Sequence, residues 1–163
     1  MPTPAALALG ASLGDRARTL LLAARAVDAQ PGIRVLGSSA ILATPPVGGV
    51  ARRSFLNAVL RVETDLAPAD LLATCKALEV RLGRRPTRSW ADRVIDIDLL
   101  LYGRAVLSTP TLRVPHPRLA DRDFFLQALA EAWPDAPNPW TGAPWSSTLR
   151  SRREYPAVAR IPR

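Results

Sequence analysis

Residues 5–10 form an unbroken apolar run that stops at Gly10, the pattern of a short buried strand. The period then lengthens. Gly14-Asp15 offers a helix cap, and Leu20, Leu21, Ala24 and Val27 recur at helical spacing until Pro31-Gly32 ends the helix. Residues 33–42 read as a second strand, closed by Thr44-Pro45-Pro46. Residues 47–54, with Gly48, Gly49 and two arginines, read as a loop. Residues 55–64 alternate cleanly: Leu56, Ala58, Leu60 and Val62 form an apolar face, with Phe55, Asn57, Arg61 and Glu63 opposite. Pro68 opens the next helix where its missing N–H costs little. The buried stripe of that helix is Leu71, Leu72, Cys75, Leu78 and Leu82, and Gly83 closes it.

An arginine-rich loop, 84–93, holds Trp90 and leads into a strand over 94–102. There Ile95, Ile97, Leu99 and Leu101 are expected on one face, with Asp96 and Asp98 on the other. The order is β-α-β-β-α-β. It predicts an α+β, ferredoxin-like unit in which two helices cover one face of an antiparallel sheet and the other face stays free for chemistry. Beyond it, Val106-Leu107 predicts a short strand, Pro115-His116-Pro117 a rigid turn, and 124–133 an additional C-terminal helix. From Pro134 onward the chain holds six of its 16 prolines, which predicts an irregular tail; Trp140 and Trp145 point to part of it packing. The division expected is a domain over 1–134 and a Pro/Arg-rich tail over 135–163.

Composition narrows the class. At 163 residues, 48% apolar and 22% charged, the chain supports one folded domain of ordinary size. No apolar run approaches the roughly 18–20 residues of a membrane span, and the N-terminus lacks the pattern of a secretion signal. The single cysteine, Cys75, excludes an internal disulfide and points to a reducing, cytoplasmic compartment. One histidine and one cysteine are too few for a structural zinc site. The net charge is +8, and 21 of the 22 basic residues are arginine, with Lys76 the exception. Five arginines in the last 14 residues face one acid, Glu154; without them the balance is 17 basic against 13 acidic residues, or +4. That mild excess suits a phosphorylated ligand as well as nucleic acid.

Asp96 and Asp98 are the sharpest chemical signal. Residues i and i+2 of a strand project together, and two adjacent carboxylates repel unless cations lie between them. Oxygen ligands of this kind suit magnesium completed by substrate phosphates, although a strand face paired to arginines would look the same. Arg84, Arg85, Arg88 and Arg93 lead into this strand and match phosphate geometry, or form a solvated loop. Trp90 offers a packing anchor or a stacking surface. Phe55 and Asn57 share the non-core face of their strand, and an amide can read an amide-like heterocycle edge. Glu79 reads as a satisfied helix residue at the edge of the stripe. His116 is stiffened by flanking prolines, while Arg122 and Phe124 flank the next helix start. No P-loop, dinucleotide fingerprint or hydrolase elbow is present, so any ATP phosphates must be held by metal and arginines.

Six segments in order resemble the hydroxymethyl-dihydropterin pyrophosphokinase family. They are Leu9-Gly10-Ala11-Ser12-Leu13-Gly14-Asp15, Thr44-Pro45-Pro46-Val47-Gly48, Phe55-Leu56-Asn57, and Leu78-Glu79 with Gly83-Arg84. The last two run from Arg93-Val94-Ile95-Asp96-Ile97-Asp98 to Tyr102-Gly103, and from Val114-Pro115-His116-Pro117-Arg118 to Arg122 and Phe124. The resemblance runs from about residue 5 to residue 134. It implies transfer of pyrophosphate from ATP to the pterin hydroxymethyl group, leaving AMP, with Asp96 and Asp98 holding two magnesium ions. It implies Arg84 and Arg93 on the phosphates. Phe55 and Phe124 would sandwich the pterin, and Asn57 with Thr44, Pro45 and Val47 would read its edge. Glu79, Trp90, Ile97, His116 and Arg122 would line the ATP side. It also implies a monomer, with loops 47–54 and 84–92 closing to exclude water.

Two departures from the family stand out. Ala11-Ser12 replaces the usual Ser-Asn, and Ala91-Asp92 replaces the usual Gly-Pro. Competing readings are a basic RNA-binding module of the same fold and a catalytically idle relative. The first strand has no aromatic for base stacking, and the paired aspartates would repel a phosphate backbone. No nucleic-acid or membrane partner is expected.

Overall fold

The computed structural model describes residues 1–45, 54–84, 94–149 and 154–162. The first apolar run becomes β1 (Thr3–Ala11). The Asp15 carboxylate accepts the Arg18 N–H at 3.2 Å and caps α1 (Arg16–Asp28). Then come β2 (Ile33–Ser38), β3 (Ala40–Thr44), β4 (Phe55–Thr64), α2 (Pro68–Arg81) and β5 (Asp96–Tyr102). Pro68 does begin α2, and Gly83, at φ 102°, follows its end in a conformation that glycine adopts without strain. A small hairpin, β6 (Leu107–Ser108) with β7 (Arg113–Val114), precedes α3 (Asp123–Ala132). A 3₁₀ turn (Trp145–Thr148) and β8 (Ala157–Arg160) complete the described elements.

The main sheet runs β5-β1-β4-β3-β8, with β2 also on β4, and every pairing is antiparallel. The βαββαβ order is therefore present, its second strand split in two. Leu7, Leu9, Leu60 and Ile97 pack on one sheet face against Leu20 and Val27 of α1 and Leu71, Cys75 and Leu78 of α2. Alternation along β4 holds as expected: Leu56, Ala58, Leu60 and Val62 lie in this layer, and Val59 lies on the other side.

The structure corrects four expectations. The strand expected over 33–42 breaks at Ser39, because the Ser39 hydroxyl takes the Val59 N–H at 2.9 Å and the Glu131 carboxylate takes the Ala40 N–H at 3.0 Å. Side chains thus replace ladder bonds where the backbone bends. In β5 the register on β1 slips between Ala6 and Leu7, so that Leu101 faces Ala6 and Leu99 faces Leu7. That bulge turns Leu101 away from Ile95, Ile97 and Leu99 and into the opposite layer. The second face is not free either: Phe125, Leu126 and Leu129 of α3, with Trp133 and Trp145, cover Ala6, Ala8, Leu42, Val59 and Leu100. Beyond that cover, β4, β1 and β5 carry Asn57, Gly10 and Asp96 at one end of the face. Finally, the tail is more ordered than its prolines imply. β8 adds a strand beside β3, while Trp145 is buried as expected and Trp140 stays exposed.

Cys75 lies wholly within the layer between sheet and helices, and burial pushes its thiol up to about 12. A thiol so protonated and enclosed is inert. Titration with a disulfide reagent near neutral pH is expected to find no reactive thiol in the folded chain and one after denaturation.

Candidate active site

Strand register builds the site. Asn57 of β4 and Asp96 of β5 both stand opposite Gly10 of β1, so amide, glycine and carboxylate form one row across three strands. With strands about 4.8 Å apart, the two functional side chains flank a gap of two strand spacings. Gly10 makes room for the Asn57 amide: a Cβ at this position would meet Asn57 Oδ1 at 2.9 Å. Asn57 is held from its other side, its Nδ2 donating to the Thr44 hydroxyl at 2.7 Å. Both residues are buried, and Thr44 pairs with Phe55 across β3 and β4.

β5 is an edge strand, and this decides how the carboxylates are held. Ile97, between the two aspartates, turns both main-chain groups outward to α2. Its N–H donates to Glu79 Oε2 at 2.6 Å, and its carbonyl accepts from Lys76 Nζ at 3.0 Å. One turn of α2 therefore does for Ile97 what a neighbouring strand would have done. The same groups continue into the aspartates. Lys76 Nζ also lies 3.0 Å from Glu79 Oε2, 3.3 Å from Asp98 Oδ1 and 3.9 Å from Asp96 Oδ1. Arg84 Nη1 donates to Glu79 Oε1 at 2.6 Å and to Asp96 Oδ1 at 2.8 Å.

Two cations thus hold three carboxylates. Burial, and then the like charge of Asp96, raises the Asp98 carboxyl above its ordinary range. Burial alone would lower Lys76, but Asp98, Glu79 and Asp96 outweigh it and hold the ammonium above its usual value. Burial likewise raises Glu79, opposed by the Ile97 N–H and Lys76. An ammonium within 4 Å of both aspartates marks a place where a cation is favoured. Oxygen-only donors on one side of a strand fit magnesium that keeps open positions for water and phosphate. Among the described residues no cluster of three or more His, Cys, Asp or Glu forms a closed metal cage.

Beside this network lies a cavity of about 380 Å³ whose lining includes Leu72, Lys76, Asp98, Thr109, Arg113 and His116. His116 Nδ1 accepts the Arg118 N–H at 3.1 Å, which leaves the ring proton on Nε2 in the neutral form. Burial lowers its basicity against the pull of Asp98. Its ring stands edge-on to Phe125 (5.8 Å), which contacts Phe124 at 4.7 Å. The Arg122 guanidinium lies 5.3 Å from the Phe125 centroid and 5.9 Å from that of Phe124.

The first 134 residues carry the family signal. Residues 6–134 match the model of 7,8-dihydro-6-hydroxymethylpterin-pyrophosphokinase (HPPK). The chain belongs to the HPPK family. A 2-amino-4-hydroxy-6-hydroxymethyldihydropteridine pyrophosphokinase from Methylorubrum extorquens is 44% identical over 82% of this chain and 84% of its own length. The protein of the same name from Bacillus subtilis is 38% identical over 77% and 75%. A solved Plasmodium falciparum HPPK-DHPS structure with pteroate shares the fold at TM-score 0.73 and 14% identity. It covers 91% of this chain, which spans 42% of that longer one.

Within this HPPK chain direct bonds join Thr44 to Asn57, Arg84 to Glu79 and Asp96, and Asp98 to Lys76, while His116, Arg122 and Phe124 meet through rings. Phe55 lies on the same sheet face as Asn57, and Pro45 ends β3. Val47, Trp90 and Arg93, with the loops expected to close, lie outside the described residues. Ile97 lies on the apolar face expected of it. Its side chain is buried in the helix-facing core, and its main chain serves the clasp with α2. Glu79 is buried and bonded at both oxygens, as its reading as a satisfied helix residue expects, and it reaches the aspartates through Lys76 and Arg84. Lys76 was missed as a site residue, although its being the lone lysine among so many arginines was a usable signal.

Because the clash at Gly10 is with the end of a side chain, Gly10→Ala is expected to cost little stability while displacing the Asn57 amide. Thermal unfolding should stay within a few degrees of the parent, and pterin affinity by fluorescence titration should fall by about tenfold, the value of one lost polar contact. Equal pterin binding would remove Asn57 from the pocket.

Proposed function

We propose that the row Asn57–Gly10–Asp96 is where pterin and phosphate chemistry meet in this HPPK. The family transfers pyrophosphate to hydroxymethyldihydropterin, a step of folate biosynthesis, and the chain is an ATP-dependent diphosphotransferase. The single observation that carries the site assignment is the register itself, which sets the buried Asn57 amide and the Asp96 carboxylate on either side of Gly10, with Asp98 two residues along β5. On this reading Asn57, fixed by Thr44, hydrogen-bonds the pterin edge together with Pro45 and Val47. Phe55 and Phe124 stack on its faces.

ATP occupies the cavity between Lys76, Asp98 and His116, with Arg122 on the same side and Arg84 toward the phosphates; Trp90 and Arg93 are assigned to ATP from the family resemblance. Asp96 and Asp98 hold two magnesium ions, which supply positive charge to the phosphate oxygens when bound. The pterin hydroxyl oxygen attacks the β-phosphorus and loses its proton, and the bond from that phosphorus to the α–β bridging oxygen breaks to leave AMP. The chain contributes position and charge: stacked rings and amide orient the hydroxyl, while Arg84 and Lys76 offset carboxylate and phosphate charge. The reading extends to a cytoplasmic monomer in which residues 135–163 belong to the same unit as 1–134. It is supported by the buried free Cys75 and by the pairing of β8 with β3. Among the described residues, no helix is long and apolar enough to cross a membrane.

Product analysis with ATP, magnesium and hydroxymethyl-dihydropterin tests this. AMP is expected only when pterin is present, falling roughly 10²–10³-fold in Asp96→Ala and Asp98→Ala, the range for losing one preorganised charge contact. ADP would show that a single phosphoryl group moves. Full turnover in both variants would displace the site from β5.

A further inference from the structure

Residues 155–160 form a strap across two elements that carry the pterin side of the site. β8 pairs with β3 through Ala40, Ile41 and Leu42, and the Pro156 carbonyl accepts the Ala43 N–H at 3.0 Å, one residue before Thr44. The strap is also fastened to α3. Gln127 uses both ends of its amide on Tyr155, donating to its carbonyl at 3.2 Å and accepting its N–H at 2.9 Å. This clamp aims the Tyr155 ring edge-on at Phe124, with centroids 5.9 Å apart and planes at 85°. Phe124 leans in turn on Phe125, so its orientation is set from two sides.

We propose that Tyr155 is a positioning residue for pterin recognition, holding the Phe124 ring in its stacking orientation while the strap steadies β3 below Thr44. The proposal rests on the reading of Phe124 as a pterin-stacking ring. A phenyl ring near a helix start has two rotatable bonds, and a ring packed edge-on removes that freedom before the ligand arrives. The expected signature is selective. Pterin binding depends on Tyr155, whereas ATP binding, which draws on α2, β5 and His116, does not.

The test measures pterin and ATP dissociation constants, the corresponding KM values and thermal stability in the full chain. Tyr155→Ala should weaken pterin by about 3- to 10-fold, the strength of one edge-on aromatic contact. ATP affinity should stay within about twofold, and Tyr155→Phe should behave as the parent. Gln127→Ala, which loosens the clamp but keeps the ring, should shift pterin in the same direction by less, and it decides the matter if Tyr155→Ala does not fold. Unchanged pterin affinity, or parallel loss of pterin and ATP binding with lowered stability, would overturn the proposal. Phe124→Ala separates the two layers. If it leaves pterin affinity intact, the stacking assignment itself fails. If it weakens pterin while Tyr155→Ala does not, only the role of the strap fails.

Discussion

The outward-facing backbone of Ile97 is the constraint on which the site depends. An edge strand must satisfy its unpaired N–H and C=O groups, and here α2 meets that need with two side chains one turn apart, Glu79 and Lys76. Because Ile97 sits between Asp96 and Asp98, the same bonds fix where both carboxylates point. Glu79 is buried with an arginine, a lysine and an amide around it, so its charge is compensated at each oxygen. The carboxylate pair is thus held between cations from the chain itself.

Small residues do the complementary work. β1 presents Ala6 and Ala8 beneath α3, and then Gly10 where the helix layer ends. A side chain at Gly10 would collide with the Asn57 amide; on the proposed reading, the hydroxymethyl group and a phosphate meet between that amide and Asp96. Tertiary packing by α3 covers the apolar part of this sheet face and stops short of the row where polar residues align. Strand register and the charge network converge on that row.

Much of this was legible from the chain. Alternation in β4 placed Phe55 and Asn57 opposite the core, and the i, i+2 rule paired Asp96 with Asp98, because both follow from backbone geometry alone. Other features depend on contacts distant in sequence. The break at Ser39 needs Val59 and Glu131 to supply or receive the diverted bonds, and the displacement of Leu101 needs a slip against β1. α3 covers a face that a βαββαβ pattern leaves open. Lys76 lay on the partly exposed side of α2, where periodicity treats lysine as a solvated charge. Only the position of the β5 edge turns it into a site residue. Tyr155 could not be connected to Phe124 without the strand that β8 adds to β3.

The most direct test is amide hydrogen exchange at Ile97, followed by NMR in the parent and in Glu79→Ala. If Glu79 caps the edge of β5 and so fixes the carboxylate pair, the Ile97 amide is protected to nearly the level of the central strand β1 in the parent. In the variant it exchanges at the rate of an open edge while β1 stays protected. Fast exchange in the parent, or protection that survives loss of Glu79, would contradict the account and leave the positions of Asp96 and Asp98 without their support.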